Sequence, residues 1–264
     1  MATTTVAETS TFTMGGVASA TFGSIGRNFV TFAALAVLAE VPVQLLEWYR
    51  AGSAAAARLL TTPSAAVTYG TMAFASFLFI VTMAYVLQAT IVYGTVTDLS
   101  GRRASFGSCL GAALKVLLPL VGLSIVSTLG TVLGFILLVI PGVILALGWS
   151  VAVPVKVVER AGVFESFSRS WELTSGYKGT IFLLLLVYLL AAWLFGALGF
   201  VFFGVFSFRH PAMPTGLPAA FYAYNGVLRG MEAMVGGAGV ATIYYQLRAL
   251  KEGVAPEQLA AVFD

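Results

Sequence analysis

"AALKVLLPLVGLSIVSTLGTVLGFILLVIPGVILALGWSVAVPVKVV", Ala112 to Val158, is an unbroken apolar tract in which only Lys115 and Lys156 carry charge. Crossing about 30 Å of hydrocarbon takes roughly 20 helical residues. The tract is too long for one crossing and fits two, joined by a tight turn between Leu129 and Gly142. Pro141 followed by Gly142 favours a helix start or kink there, because proline suits a first helical turn and breaks an interior one.

The rest of the chain repeats this character. Hydrophobic residues make up 59% of it, charged residues 9%, and the mean hydropathy is +0.95, whereas about a quarter of the residues of a soluble domain are charged. The expectation is an all-α integral membrane protein, one membrane domain over 1–264 with a flexible start at 1–14. Six spans are expected at about 29–48, 69–95, 112–133, 137–158, 180–206 and 217–247. The start, "MATTTVAETSTFTM", has no basic stretch ahead of an apolar core, so the first span is expected to act as an uncleaved targeting signal.

Basic residues set the orientation. With both termini in the cytoplasm, Arg27, Arg102, Arg103, Lys115, Lys156, Arg160, Arg169, Lys178, Arg248 and Lys251 lie inside, against Arg50, Arg58 and Arg209 outside. Ten against three is the bias of a multi-pass protein of a bacterial cytoplasmic (inner) membrane. The pI near 9.1 follows from that bias and attraction to anionic lipid, and gives no case for nucleic acid.

Between the fourth and fifth spans stands "ESFSRSWELTSGYKG", Glu165 to Gly179. As a helix over 163–176 it puts Phe164, Phe167 and Trp171 on one face and Glu165, Arg169 and Glu172 on the other. The expectation is a cytoplasmic interfacial helix, its aromatic face in the membrane surface, with Phe167, Arg169, Trp171 and Glu172 as a candidate docking element. "ATFGS" (Ala20–Ser24), "ASFGS" (Ala104–Ser108) and "ESFSR" (Glu165–Arg169) precede the first, third and fifth spans. Their recurrent position suggests three repeats, each an interfacial helix and a hairpin. The plainer reading is similar composition at a membrane boundary. Trp48, Trp149, Trp171 and Tyr177 are expected to anchor in the interface.

Three tracts carry a family resemblance: "IPGVILALGWSVAVPVKVVE" (Ile140–Glu159), "SRSWELTSGYKG" (Ser168–Gly179) and "YYQLRALKEG" (Tyr244–Gly253). The chain resembles a family of bacterial six-span membrane proteins, mostly uncharacterised, related to the membrane domain attached to some glycerophosphoryl diester phosphodiesterases. The resemblance implies a fold and an envelope setting and no settled activity. In the fused relatives a separate soluble barrel does the hydrolysis, and no such domain is expected here.

Catalytic chemistry finds little to work with. There is one histidine, His210, in an expected outer loop, and one cysteine, Cys109, so neither a histidine metal cluster nor an internal disulfide can form. No nucleophile with its base and no phosphate-binding glycine loop is recognisable. The expectation is no enzyme and no cofactor. The small residues of "GGAGVA" near Gly236 read as close helix packing.

Polar residues do stand inside the expected spans. Glu40 lies just before Pro42 in the first; Asn225, Arg229 and Glu232 lie in the sixth. A charge at the bilayer centre costs about 2.5 to 3.5 kcal/mol on insertion scales, so these residues should face the bundle and pair. The expected pairs are Arg229 with Glu232 and, if the first and sixth helices are neighbours, with Glu40. The functional reading is a lipid-headgroup or ion contact; the plainer one is an ion-pair network that fixes helix register. Two classes follow. The favoured one is a non-enzymatic scaffold or accessory subunit binding membrane lipids or a partner membrane protein. The alternative is a small transporter or lipid-handling permease using Glu40, Arg229 and Glu232.

Overall fold

The computed structural model describes residues 12–52, 63–209 and 219–253. The first part of the expected flexible start, a short external helix expected at Ser53–Leu60 and the His210 loop lie outside the described residues. Every regular element among the described residues is helical: α1 Met14–Gly52, α2 Pro63–Leu99, α3 Phe106–Lys115, α4 Leu117–Leu137, α5 Val139–Gly148, α6 Val163–Thr174, α7 Lys178–Arg209 and α8 Ala219–Glu252. Among the described residues five segments are long and apolar enough to cross a membrane: Met14–Arg50, Ala66–Leu99, Leu117–Leu137, Val139–Glu159 and Lys178–Phe203. The sixth expected run forms α8, 34 residues long. It is not among those five, since Asn225, Arg229 and Glu232 interrupt its apolar character.

Helix boundaries follow local chemistry. α1 kinks at Asn28 (φ −116°, ψ 17°), one residue before the expected start of the first span. The side chain contributes, because Asn28 Nδ2 donates to Ser24 O at 3.0 Å and so competes with the helical ladder. The third span was expected from Ala112, but Ser105 caps α3 in a reciprocal bond with Ser108, and that helix ends at Val116 (φ −111°, ψ 16°). α4 then starts afresh, with Pro119 in its first turn, where the missing N–H is harmless.

The turn of the central hairpin falls inside the expected window, at Leu138, which is fully extended (φ −165°, ψ 147°). Glycines let the two helices close on each other: a Cβ on Gly134 would lie 3.0 Å from Gly142 Cα. The expected fourth span of 137–158 is not one helix. α5 stops at Gly148, a short turn Ala152–Pro154 follows, and the chain continues as a π-helical turn, Val155–Glu159, ended by Arg160 in the left-handed region (φ 56°). In a continuous helix the ring of Pro154 would collide with the carbonyl four residues back, at Ser150, which lies in the break.

The core gathers at one end of the bundle. Val92, Val96, Leu120, Val155, Tyr244 and Leu247 are all fully buried there. α8 packs along α1 and α2, and α2 carries α3. The opposite half is looser, and α7 is the least buried of the five apolar segments: 6% of its most apolar stretch is buried, against 50% for Val139–Glu159.

Candidate functional site

α1 presents Glu40, Gln44 and Glu47 at steps of four and three residues, so all three share one helix face. α8 approaches that face through Gly226 and Gly230. A Cβ on Gly226 would lie 3.0 Å from Gln44 Cγ, and one on Gly230 would lie 3.2 Å from Ala36 Cβ. Small residues four apart let two membrane helices come close, where dispersion and polar contacts replace the missing hydrophobic drive. Gly237 meets Ile91 of α2 and Gly236 meets Tyr188 of α7 in the same manner.

Two hollows flank this contact. One is an apolar groove of about 780 Å³ between α1 and α8, with Phe29, Val37, Val41 and Trp48 on its α1 wall. The other, of about 590 Å³, lies among α1, α2, α7 and α8 and is the more polar of the two, with Glu40, Gln88, Tyr188, Arg229 and Glu232 set among apolar walls such as Ile80, Leu87 and Val240. Glu40 stands on the wall of both.

The expected triad of Glu40, Arg229 and Glu232 is thus brought to one cavity, but its pairing is different. Arg229 Nη2 reaches across to Glu47 Oε1 of α1 at 3.4 Å. Glu47 is two helical turns beyond Glu40, and the spacing of seven could have revealed it as a partner; its place beside Trp48 makes it look like a boundary residue. Asn225 stays out of the cluster and donates to Phe221 O at 3.0 Å. Gln44 is 7% exposed; its Nε2 points at Glu40 Oε2 at 3.5 Å, and its Oε1 is buried without a hydrogen bond. Tyr188 donates to the backbone oxygen of Glu232 at 3.2 Å. Among the described residues no three Asp, Glu, His or Cys side chains converge as a metal site.

The second candidate, α6, is built into the protein instead of lying on it. Phe167 is buried and stacks on Trp149 at 4.7 Å between ring centroids, so both rings expected at the membrane surface face protein. Trp171 lies against Gly148 with Lys178 Nζ 3.3 Å above its ring yet stays 38% exposed, and Phe164 is open, so of the three aromatics Phe167 alone is buried. The physical reason is the break after α5. Ser170 Oγ donates to Gly148 O at 2.7 Å and accepts from Val151 N at 3.2 Å, supplying the bonds that the broken helix lost. Arg169 pairs with Glu159 (3.2 Å), Glu172 (3.8 Å) and Glu252. Arg248 joins Glu252 at 2.9 Å, and Tyr244 donates to Glu159 at 2.9 Å. Lys251 closes the set, donating to Ser175 O at 2.8 Å. Nearby, Arg27 clamps Asp98 through Nε (3.0 Å) and Nη2 (2.6 Å), tying the kink of α1 to the end of α2.

No family model matches the chain, and no solved structure matches it. It is similar to a UPF0259 membrane protein of Pectobacterium carotovorum subsp. carotovorum (strain PC1), 40% identical over 76 residues. The match takes in 29% of this chain and 30% of that relative's length. It supports kinship with an uncharacterised bacterial membrane family and lends nothing to the link with glycerophosphoryl diester phosphodiesterases. Together with the five apolar helices, it makes the chain a multi-pass membrane protein.

Proposed function

We propose that this chain is a six-span protein of the bacterial inner membrane, with both termini in the cytoplasm, that binds a lipid-like amphiphile and acts as a non-enzymatic scaffold or accessory subunit. The observation that carries the reading is the meeting at Glu40 of an apolar groove and a polar cavity. A chain could lie in one and a headgroup reach into the other. Exposed Val37, Val41 and Leu45 leave the groove open toward hydrocarbon, so a lipid could enter sideways. The test is native mass spectrometry of gently extracted protein beside an Ala33→Trp, Val37→Trp variant that fills the groove. The variant is expected to fold and lose a retained lipid; unchanged lipid retention overturns the reading.

α8 supplies the sixth crossing in this proposal, which brings both termini to the α6 end, where basic residues gather. Labelling can check the orientation, since the native Cys109 is buried, with its thiol pushed up to about 11, and gives little background. Ser64→Cys is expected to react in intact cells and Ser105→Cys only after permeabilisation; the reverse pattern inverts the topology. Three repeats of a short helix and a hairpin are part of the same proposal. The near-identical kinks at Asn28 and Val116 support it.

A small permease is the second reading, favoured by Gln88 and Tyr188 joining Glu40, Arg229 and Glu232 around the polar cavity. Lipid scrambling or solute uptake in proteoliposomes, lost in Arg229→Ala, would favour it over the scaffold.

A further inference from the structure

We propose that α3, with the segment before it, is a surface that holds anionic lipid headgroups, its apolar stripe in the edge of the bilayer and its basic residues on lipid phosphate. The inference rests on the membrane-spanning reading above and concerns a face separate from the groove.

Chain continuity puts α3 at a membrane surface. It stands between α2 and α4, two of the segments long and apolar enough to cross, and its own ten residues reach only about 15 Å. Tyr245 Oη donates to Leu99 O at 3.2 Å, which ties the turn leading into α3 to the end of α8, where Lys251 reaches α6. α3 and α6 thus share one end of the bundle.

One side of α3 is fixed to the protein. Cys109 and Ala113 are fully buried, and a Cβ on Gly94 of α2 would lie 3.1 Å from Cys109 Sγ. Phe106, Leu110 and Leu114 follow one another at steps of four, a stripe beside that buried side. Phe106 is 40% exposed and Leu114 53%. Lys115 lies about 100° round the helix from Leu114 and is exposed, as is Arg103 in the segment before α3. Water would satisfy both cations and does not account for the apolar stripe beside them. The combination is that of a helix lying in the membrane interface.

Charge names the lipid. From Leu99 to Val158 the sequence has no Asp or Glu, while it has Arg102, Arg103, Lys115 and Lys156. Lys156 is buried and donates to Ala161 O, and Arg102 already has a contact within the chain. Arg103 and Lys115 enter no ion pair among the described residues. Asp98, the carboxylate closest in sequence, is clamped by Arg27. At α6 the cations are answered: Arg169 and Arg248 by Glu159, Glu172 and Glu252, and Lys251 by carbonyls. One end of the bundle therefore holds a neutralised region and a cationic one, and an anionic phosphate headgroup complements the second.

The full chain in nanodiscs tests the proposal. A bimane on Leu114→Cys is read for quenching by phosphatidylglycerol or phosphatidylcholine, each carrying a nitroxide near the top of the acyl chain, at equal mole fraction. The native Cys109 is buried and adds little background. Each basic residue at an anionic surface strengthens binding about fivefold, so phosphatidylglycerol is expected to gather at the label about fivefold or more over phosphatidylcholine. Arg103→Gln, Lys115→Gln is expected to abolish the preference, and high salt to do the same. A bimane on Phe164→Cys of α6, where the native ring is 76% exposed, is expected to show no preference. Equal quenching by the two lipids at Leu114→Cys overturns the anionic inference. No quenching there by either lipid means that water or another protein covers the stripe, and overturns the membrane contact. A preference that survives the double substitution, or appears equally at Phe164→Cys, overturns the assignment to α3. Should the double variant fail a thermal assay, the salt series on Leu114→Cys decides alone, and a salt-independent preference rejects the proposal. Quenching does not depend on which leaflet α3 meets, so it can fail while the orientation stands, which the Ser105→Cys labelling decides.

Discussion

The α6 end of the bundle and the half that holds the groove solve the same problem in opposite ways. Lipid tails are as apolar as leucine, so helices in a membrane gain nothing by hiding apolar surface from each other. At the α6 end polar stitching takes over. Ser170 repairs the break after α5, and Arg169, Arg248 and Lys251 bind α6 to the end of α8 through carboxylates and carbonyls. In the other half the stitching thins to Arg229 with Glu47 and to two tyrosine hydroxyls, Tyr188 on Glu232 O and Tyr224 on Phe195 O. The helices separate, a groove and a cavity open, and an amide oxygen is left without a partner. The α6 end is the more densely stitched of the two, although Ser24 Oγ and Thr95 Oγ1 on its side of the bundle are also buried without a hydrogen bond.

The sharpest contrast is expected from glycine. A Cβ on Gly148 would run into the indole of Trp171, which is held between that glycine and Lys178. Gly148→Ala is expected to cost about 3 kcal/mol, as overpacking does, and to lower the melting temperature in detergent markedly. At Gly226 the new Cβ meets only the flexible stem of Gln44 at 3.0 Å. Gly226→Ala is expected to cost about 1 kcal/mol or less. Equal losses would erase the difference in tightness.

Carboxylates give the next test, and here the sign should differ. Glu159 accepts from Arg169 and Tyr244 and is mostly buried, so Glu159→Gln is expected to cost about 2 kcal/mol. Glu40 has the Gln44 amide at 3.5 Å, while Arg229 turns to Glu47. Without bound ligand, Glu40→Gln is expected to leave stability unchanged or raise it. Thermal unfolding of delipidated protein separates the outcomes, and a loss at Glu40 as large as that at Glu159 would make Glu40 a structural residue.

The legibility of the chain divides along the same line. Hydropathy and proline placement were enough to find the apolar helices and the window around Leu138, because burial in hydrocarbon is a property of composition and length. Glu40, Arg229 and Glu232 were also legible as a set, since charge inside a span must face the bundle. Facing on α6 was not legible. Ser166, Ser170 and Thr174 share its buried side with Phe167 and Leu173, so the polar stripe meets protein as much as the apolar one does. An amphipathic pattern gives two faces and does not say which of protein, water or lipid takes each. Glu47 escaped for a related reason: its role depends on the angle at which α8 crosses α1, and Gly226 and Gly230 set that angle only once both helices are in place.

Arg229 should show the smallest effect, and for that reason it tests the comparison most closely. An arginine buried with one carboxylate partner would be costly to truncate, about 3 to 5 kcal/mol, because the partner would be left charged and alone. Here the arginine side chain is 41% exposed and that of Glu47 26%, with 3.4 Å between them. An open pair of this kind contributes little after screening, so Arg229→Ala is expected to cost about 1 kcal/mol or less in detergent. The loss should shrink further in Arg229→Ala, Glu47→Gln, where no carboxylate is left without its partner. Lipid retention should respond where stability does not, since Arg229 lines the cavity beside Glu40 and Glu232, and native mass spectrometry of Arg229→Ala should show less retained lipid. A stability loss near that of Glu159→Gln would place Arg229 in the framework. A small loss with weaker lipid retention would place it in the site.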